Sequence, residues 1–373
     1  MKTLFGINIA VFLLFVQPVG WAGQDEDLDA FNEAYSQYET LYSQGELSQS
    51  VQQARIAYEI GGRLFGKDSE DFAALAFNYA YNLSQLGNFE EAIPVYSDSL
   101  EATEAVHGKE SMQLAPALMA LGHANAFIGK KKSMRQSFGR TLKLAEKNHG
   151  KGSAEYGWYS VKAGIDILNV ADDRSGERYL RRGYEALQSS LGDEHVRTGF
   201  AAFHLGSYEM GEEDFESARD LLLLALESFE NPEEPSNKFE LSTHAFLVET
   251  YEGLGQSEEA TRHCLAIGRM TPFQSTQDYF PIYKKPPVYP LKALNRNAEG
   301  YAIVKFTVDE SGIVRNPELV ETEGHKEFGK AALAAAEKFR YAPRFRDGSP
   351  VKVENVQNRV NFQLQHTSRH RVE

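Results

Sequence analysis

The sequence has a single cysteine, Cys264, in 373 residues, so no intrachain disulfide can form and the fold rests on packing alone. Its neighbour His263 makes no thiolate pair with it, because adjacent residues on a helix point in different directions. A buried, small apolar role suits Cys264 better. The ten histidines include no pair on successive helical turns with a glutamate between them, the zinc-binding spacing of a metalloprotease, and no serine nucleophile elbow occurs. With no nucleophile, acid–base pair or metal cluster, the expectation is a non-enzyme with no catalytic residue, no metal and no cofactor. Positive charge is also scarce. The chain carries −14, and residues 270–373 hold 16 Lys and Arg against 12 Asp and Glu, leaving 23 against 41, or −18, for the rest. So acidic a body lacks the clustered cations that neutralise phosphates, which excludes nucleic acid as a partner.

An apolar run from about Leu4 to Val16, with one lysine before it and Pro18, Gly20 and Ala22 after it, has the anatomy of a secretory signal over residues 1–22. Cleavage after Ala22 is expected. The alternative is an uncleaved anchor in the inner membrane, since Thr3 to Ala22 is just long enough to span a bilayer.

The stretch NHGKGS, ending at Ser153, looks like the tail of a phosphate-binding loop, but the glycine that should precede it by five residues is missing and the segment before it reads as helix. The stretch also recurs. Gly66, Gly108, Gly150 and Gly192 stand 42 residues apart, and Gly45, Gly87, Gly129, Ala171, Glu213 and Gly255 follow the same step. A fixed period of this size marks a repeat architecture, with each glycine closing a helix at positive φ. Seven residues before the second set lie Tyr38, Ala80, Gly122, Gly164, Gly206 and Val248, mostly small, where two helices can approach closely.

The segments QLGNFEEAIPVYSDSL and FHLGSYEMGEEDFESARDLLLLAL resemble the tetratricopeptide repeat family, and the 42-residue period is similar to the variety found in kinesin light chains. Six units over residues 28–269 are expected as an all-α superhelix. In the fourth, Gly176 and Gly183 stand where alanines are usual and are expected to loosen packing locally. The resemblance implies a groove that binds a peptide or partner domain, lined by Phe77, Tyr81, Met119, His123, Phe127, Trp158 and Phe203. The same residues are equally readable as core, because apolar residues on helices are buried by default.

Residues 270–285 open a connector rich in proline and aromatics. Beyond it, Ala302, Val304, Phe306 and Val308 alternate with polar or outward residues, which predicts a strand. A turn at Asp309 to Gly312 leads to a second strand. Phe328, Ala332, Ala335 and Phe339 form one helix face, and Val360, Phe362 and Leu364 lie on one face of a last strand. The expected fold is thus multidomain, ending in a small α+β domain ordered strand, strand, helix, strand over residues 286–366.

That segment resembles the C-terminal domain of TonB through VYP at Val288–Pro290, EG at Glu299–Gly300, VKFTVDESG at Val304–Gly312, FRYAP at Phe339–Pro343 and GSPV at Gly348–Val351. The resemblance implies a periplasmic protein that grips an extended peptide at an outer-membrane transporter by β-augmentation. Val360, Phe362 and Leu364 would supply the edge, with Tyr289 and Pro290 beside it and Pro287 stiffening the approach. Alternatively, Tyr289 and Pro290 only pin the connector to the domain. Pro286 stands where some members have glutamine. The apolar N-terminal segment has no histidine, and repeats replace the long proline-rich spacer of energy-transducing members. A scaffold for envelope assembly is the alternative function, and a homodimer is left open.

Overall fold

The computed structural model of the protein describes residues 22–229, 238–270 and 279–364. Residues 1–21 of the expected secretory signal lie outside the described residues. Contacts divide the chain into two compact units, 1–186 and 187–373, a division inside the helical array and not at the connector.

In the first unit, α1 (Ala22–Ser43) packs on α2 (Leu47–Leu64), α3 (Glu70–Gln85) on α4 (Phe89–His107), and α5 (Ala115–Phe127) on α6 (Lys131–His149). A fourth pair, α7 (Ala154–Asn169) and α8 (Gly176–Leu191), follows. The second unit adds α9 (Val196–Gly211) with α10 (Phe215–Phe229) and α11 (Lys238–Gly253) with α12 (Ser257–Met270). These are the six pairs read from the glycine period.

The period has a backbone cause. Gly66, Gly108, Gly150 and Gly192 have φ of +79°, +80°, +87° and +85°, and each closes the second helix of a pair. Side chains avoid that region, so the sequence returns to glycine. The serine three residues on has a structural role. Ser69 Oγ accepts from Phe72 N at 3.1 Å, and Ser153 Oγ accepts from Tyr156 N at 3.2 Å, so each serine caps the next helix. Where the inner turn lacks glycine, Asp172 and Glu213 take positive φ instead.

Small residues sit where helices cross. Ala80 and Ala92 are fully buried, and a side chain at Gly122 would meet the Phe138 ring. The glycines of the fourth pair act against the expectation of loose packing. A Cβ on Gly183 would lie 2.7 Å from Val161 N, one on Gly164 2.7 Å from Leu180 N, and one on Gly176 2.7 Å from Gly164 O. The α7 and α8 backbones therefore touch, and glycine is what allows it.

The C-terminal part begins with an extended segment whose Tyr283 bridges Arg340, and a helical turn, α13 (Leu291–Leu294). Then come β1 (Gly300–Val308), β2 (Val314–Glu323), α14 (Glu327–Ala336), β3 (Arg344–Arg346), β4 (Ser349–Val351) and β5 (Val353–Phe362). The main sheet has the order β2-β1-β5, all antiparallel. Ala302, Val304, Phe306 and Val308 face α14 and join Phe328, Ala332, Phe339 and Phe362 in one core, as the period-two and helical patterns predict. The short β3–β4 hairpin was not foreseen. Its turn is Asp347-Gly348, both at positive φ, the favoured pair for a two-residue hairpin turn.

Candidate functional site

The C-terminal sheet has two edges of different character. β2 carries Pro317, Glu318, Glu321 and Glu323, and proline and charge both discourage a further strand. β5 runs ten residues without proline, carries only Glu354 and Arg359 as charges, and ends the sheet. Its backbone direction is fixed by one contact. Lys284 Nζ donates to Arg359 O at 2.9 Å, so Arg359 turns its main-chain groups away from β1, and by alternation Gln357 and Asn361 do the same. The side chains of these three are exposed, and Arg359 lies over the Tyr301 ring at 3.7 Å.

The residues expected to meet a partner here are placed differently. Val360 and Phe362 are about fully buried, with Phe362 stacked on Phe328 at 4.2 Å, so their side chains hold the strand and offer no contact surface. The strand's period of two forces this choice, since one face must fill the core. Leu364 is half-buried, and its N–H donates to Glu299 Oε1 at 2.7 Å. Tyr289 stands edge-on to Phe328 and Phe362 at 5.6 and 5.7 Å while its hydroxyl donates to Ala298 O at 2.5 Å. That is the pinning role. Pro290 precedes α13 as its cap residue, and Pro287 is half-buried. Beside them Val288 and Leu291 are exposed by 84% and 74%, on either side of the Tyr289–Pro290 step whose tyrosine packs on Phe362.

The domain is fastened to the last helix pair. Arg340 Nε lies 2.7 Å from Glu252 Oε1, with both side chains under a tenth exposed. Gly268 of α12 abuts Pro343 O and the Phe345 ring, and Tyr279 donates its hydroxyl to Ala342 O at 2.7 Å. Cys264 is buried near this junction, and burial pushes its thiol up to about 12, which suits a packing role.

The expected groove residues do not form one surface. Met119 is in the core with Met134, Phe138 and Ile167, and Phe203 is in the core among the rings of Phe229, Phe239 and Phe246. They stand one and three repeat steps from Phe77, a position that turns inward. Phe77, Tyr81, His123 and Trp158 are half-buried. Burial and the neighbouring Tyr42 push the Tyr81 hydroxyl up to about 12, so it stays a neutral donor. Phe127 is exposed by 47% and stacks on Phe89 at 4.1 Å, with His123 edge-on at 4.9 Å. His123 Nδ1 lies 3.0 Å from the buried carboxylate of Asp166 on the next repeat. Phe89 and Asp166 went unread in the sequence; the 42-residue step from Tyr81 to His123, with an acid one step and one residue on, was the available signal. Among the described residues no group of three or more His, Cys, Asp or Glu could hold a metal ion.

Residues 285–364 match the family model described as Gram-negative bacterial TonB protein C-terminal, and residues 71–147 match that of the tetratricopeptide repeat. Both families are protein-interaction modules. Among solved structures, BtubC (BKLC) from P. vanneervenii is 17% identical, with a TM-score of 0.49, covering 62% of this chain and 94% of its own. A Podosopora anserina putative kinesin light chain with nearly identical TPR-like repeats is 13% identical, with a TM-score of 0.36, covering 64% and 94%. Among curated proteins none matches the chain.

Proposed function

We propose that this chain, a tetratricopeptide array joined to a TonB C-terminal domain, is a periplasmic binding and coupling protein. Its C-terminal domain takes an extended peptide of an outer-membrane transporter as a further strand beside β5, and the repeats recruit a second protein. The observation that carries this reading is the contrast between the two sheet edges: β2 is blunted by proline and acids, while β5 is long and proline-free. A strand laid on β5 would bond to the main chain at Gln357, Arg359 and Asn361, and Val288 and Leu291 offer apolar surface on either side of the Tyr289–Pro290 step.

Arg359→Pro tests the edge. It removes an outward N–H and leaves the inward ladder to β1 in place, so binding of synthetic transporter-plug segments to the full chain should weaken by about tenfold or more. Calorimetry showing equal affinity for variant and parent would count against the edge. The scaffold alternative takes support from the Arg340–Glu252 contact, since a domain fastened to the array could serve only to dock it.

Location follows from the first 22 residues. The mature chain recovered from the periplasm is expected to begin at Gly23, as read by intact mass. Recovery solely from inner membranes with Met1 to Ala22 attached would restore an anchored transducer.

A further inference from the structure

The edge of β5 is occupied at one point by the chain's own connector. Lys284 Nζ sits 2.9 Å from Arg359 O and 5.7 Å from the centroid of the Phe339 ring, so the ammonium is held between the core's rim and the middle of the edge. Its position is not left to a floppy segment. Ile282 N donates to Arg340 O at 2.7 Å, and Arg340 N donates to Tyr283 O at 2.9 Å, which ties the two residues before Lys284 to the main chain of Arg340. The side chain of Arg340 in turn meets Glu252 of α11. A continuous run of contacts therefore leads from the last helix pair, through Arg340 and the connector, to the carbonyl of Arg359.

We infer that Lys284 guards the strand-accepting edge of β5, and that the Glu252–Arg340 contact of the last repeat sets whether the guard is in place. A lysine on an exposed edge discourages stray strand pairing, and an incoming strand must take the Arg359 carbonyl from it. Displacing the ammonium costs the arriving peptide one charge-assisted hydrogen bond. Anything that shifts α11 relative to Arg340 moves the connector and changes that cost, so the array and the edge report on one another. The inference rests on the reading of β5 as a strand acceptor.

Two measurements on the full chain test it. With selective 15N-lysine labelling, the Lys284 ammonium should titrate below the ordinary lysine value, in the direction its partial desolvation drives it, and exchange slowly. Glu252→Gln should return it to ordinary lysine behaviour, with circular dichroism checking that the fold is kept. Lys284→Met, at an exposed position, should tighten binding of synthetic transporter-plug segments by about five- to tenfold, the worth of one such bond. A Lys284 signal at the ordinary lysine value in the parent, or one unmoved by Glu252→Gln, overturns the inference. So does unchanged plug-segment affinity in Lys284→Met when the parent binds. If neither protein binds any plug segment, the transporter reading fails, and the lysine titration alone decides the guard.

Discussion

Arg340→Ala is expected to cost about 3–5 kcal/mol of stability, because it leaves the Glu252 carboxylate buried without its partner. The two residues are 88 positions apart and join the last helix pair to the C-terminal domain. Replacing both with apolar residues of similar volume, Arg340→Met with Glu252→Leu, should restore most of that loss, since the desolvation of both charges disappears together. Urea unfolding of the single and double variants, followed in the C-terminal transition, measures it. A single-variant loss under about 1 kcal/mol, the range of exposed ion pairs, would show that the contact is not a buried clamp.

Gly183→Ala is expected to destabilise the first unit by about 1–3 kcal/mol, toward the upper end because the obstacle is backbone. The new Cβ would fall 2.7 Å from Val161 N and 2.8 Å from Gly157 O, and neither atom can swing aside as a flexible side chain can. Gly139→Ala is the matched control. It lies inside α6 with nothing within 4 Å of its added Cβ, so it should stabilise by about 0.5–1 kcal/mol, the helix-propensity gain. The same class of change thus has opposite signs at two helical glycines. Chemical unfolding followed by the earliest transition reads both, and loss of equal size at the two positions would refute the touching-backbone account.

The sequence was most informative where backbone geometry leaves one answer. A residue at positive φ every 42 positions selects glycine, so the helix ends were legible from Gly66 to Gly192. The alternation of β1 was legible because one face must fill a core. A repeat step shows which positions are equivalent and not which way they point, so Met119 and Phe203 passed for groove residues. Gly176 and Gly183 were misread for a related reason: a missing methyl signals either slack or contact, and only the partner helix decides. The β3–β4 hairpin has strands of three residues, too short for a periodic signal, although Asp347-Gly348 marked its turn. Val360 and Phe362 lie on β5, on the face that fills the core. The outward main-chain groups of Gln357, Arg359 and Asn361 became visible only through the Lys284 contact. Nothing in a linear reading links Glu252 to Arg340.

The central claim is that β5 accepts a strand, and backbone amide exchange tests it most directly. With a bound transporter-plug segment, the amides of Gln357, Arg359 and Asn361 should gain protection together while those of β2 stay unchanged. A bound segment that leaves these three amides exchanging as before, or that protects β2 in their place, would contradict it.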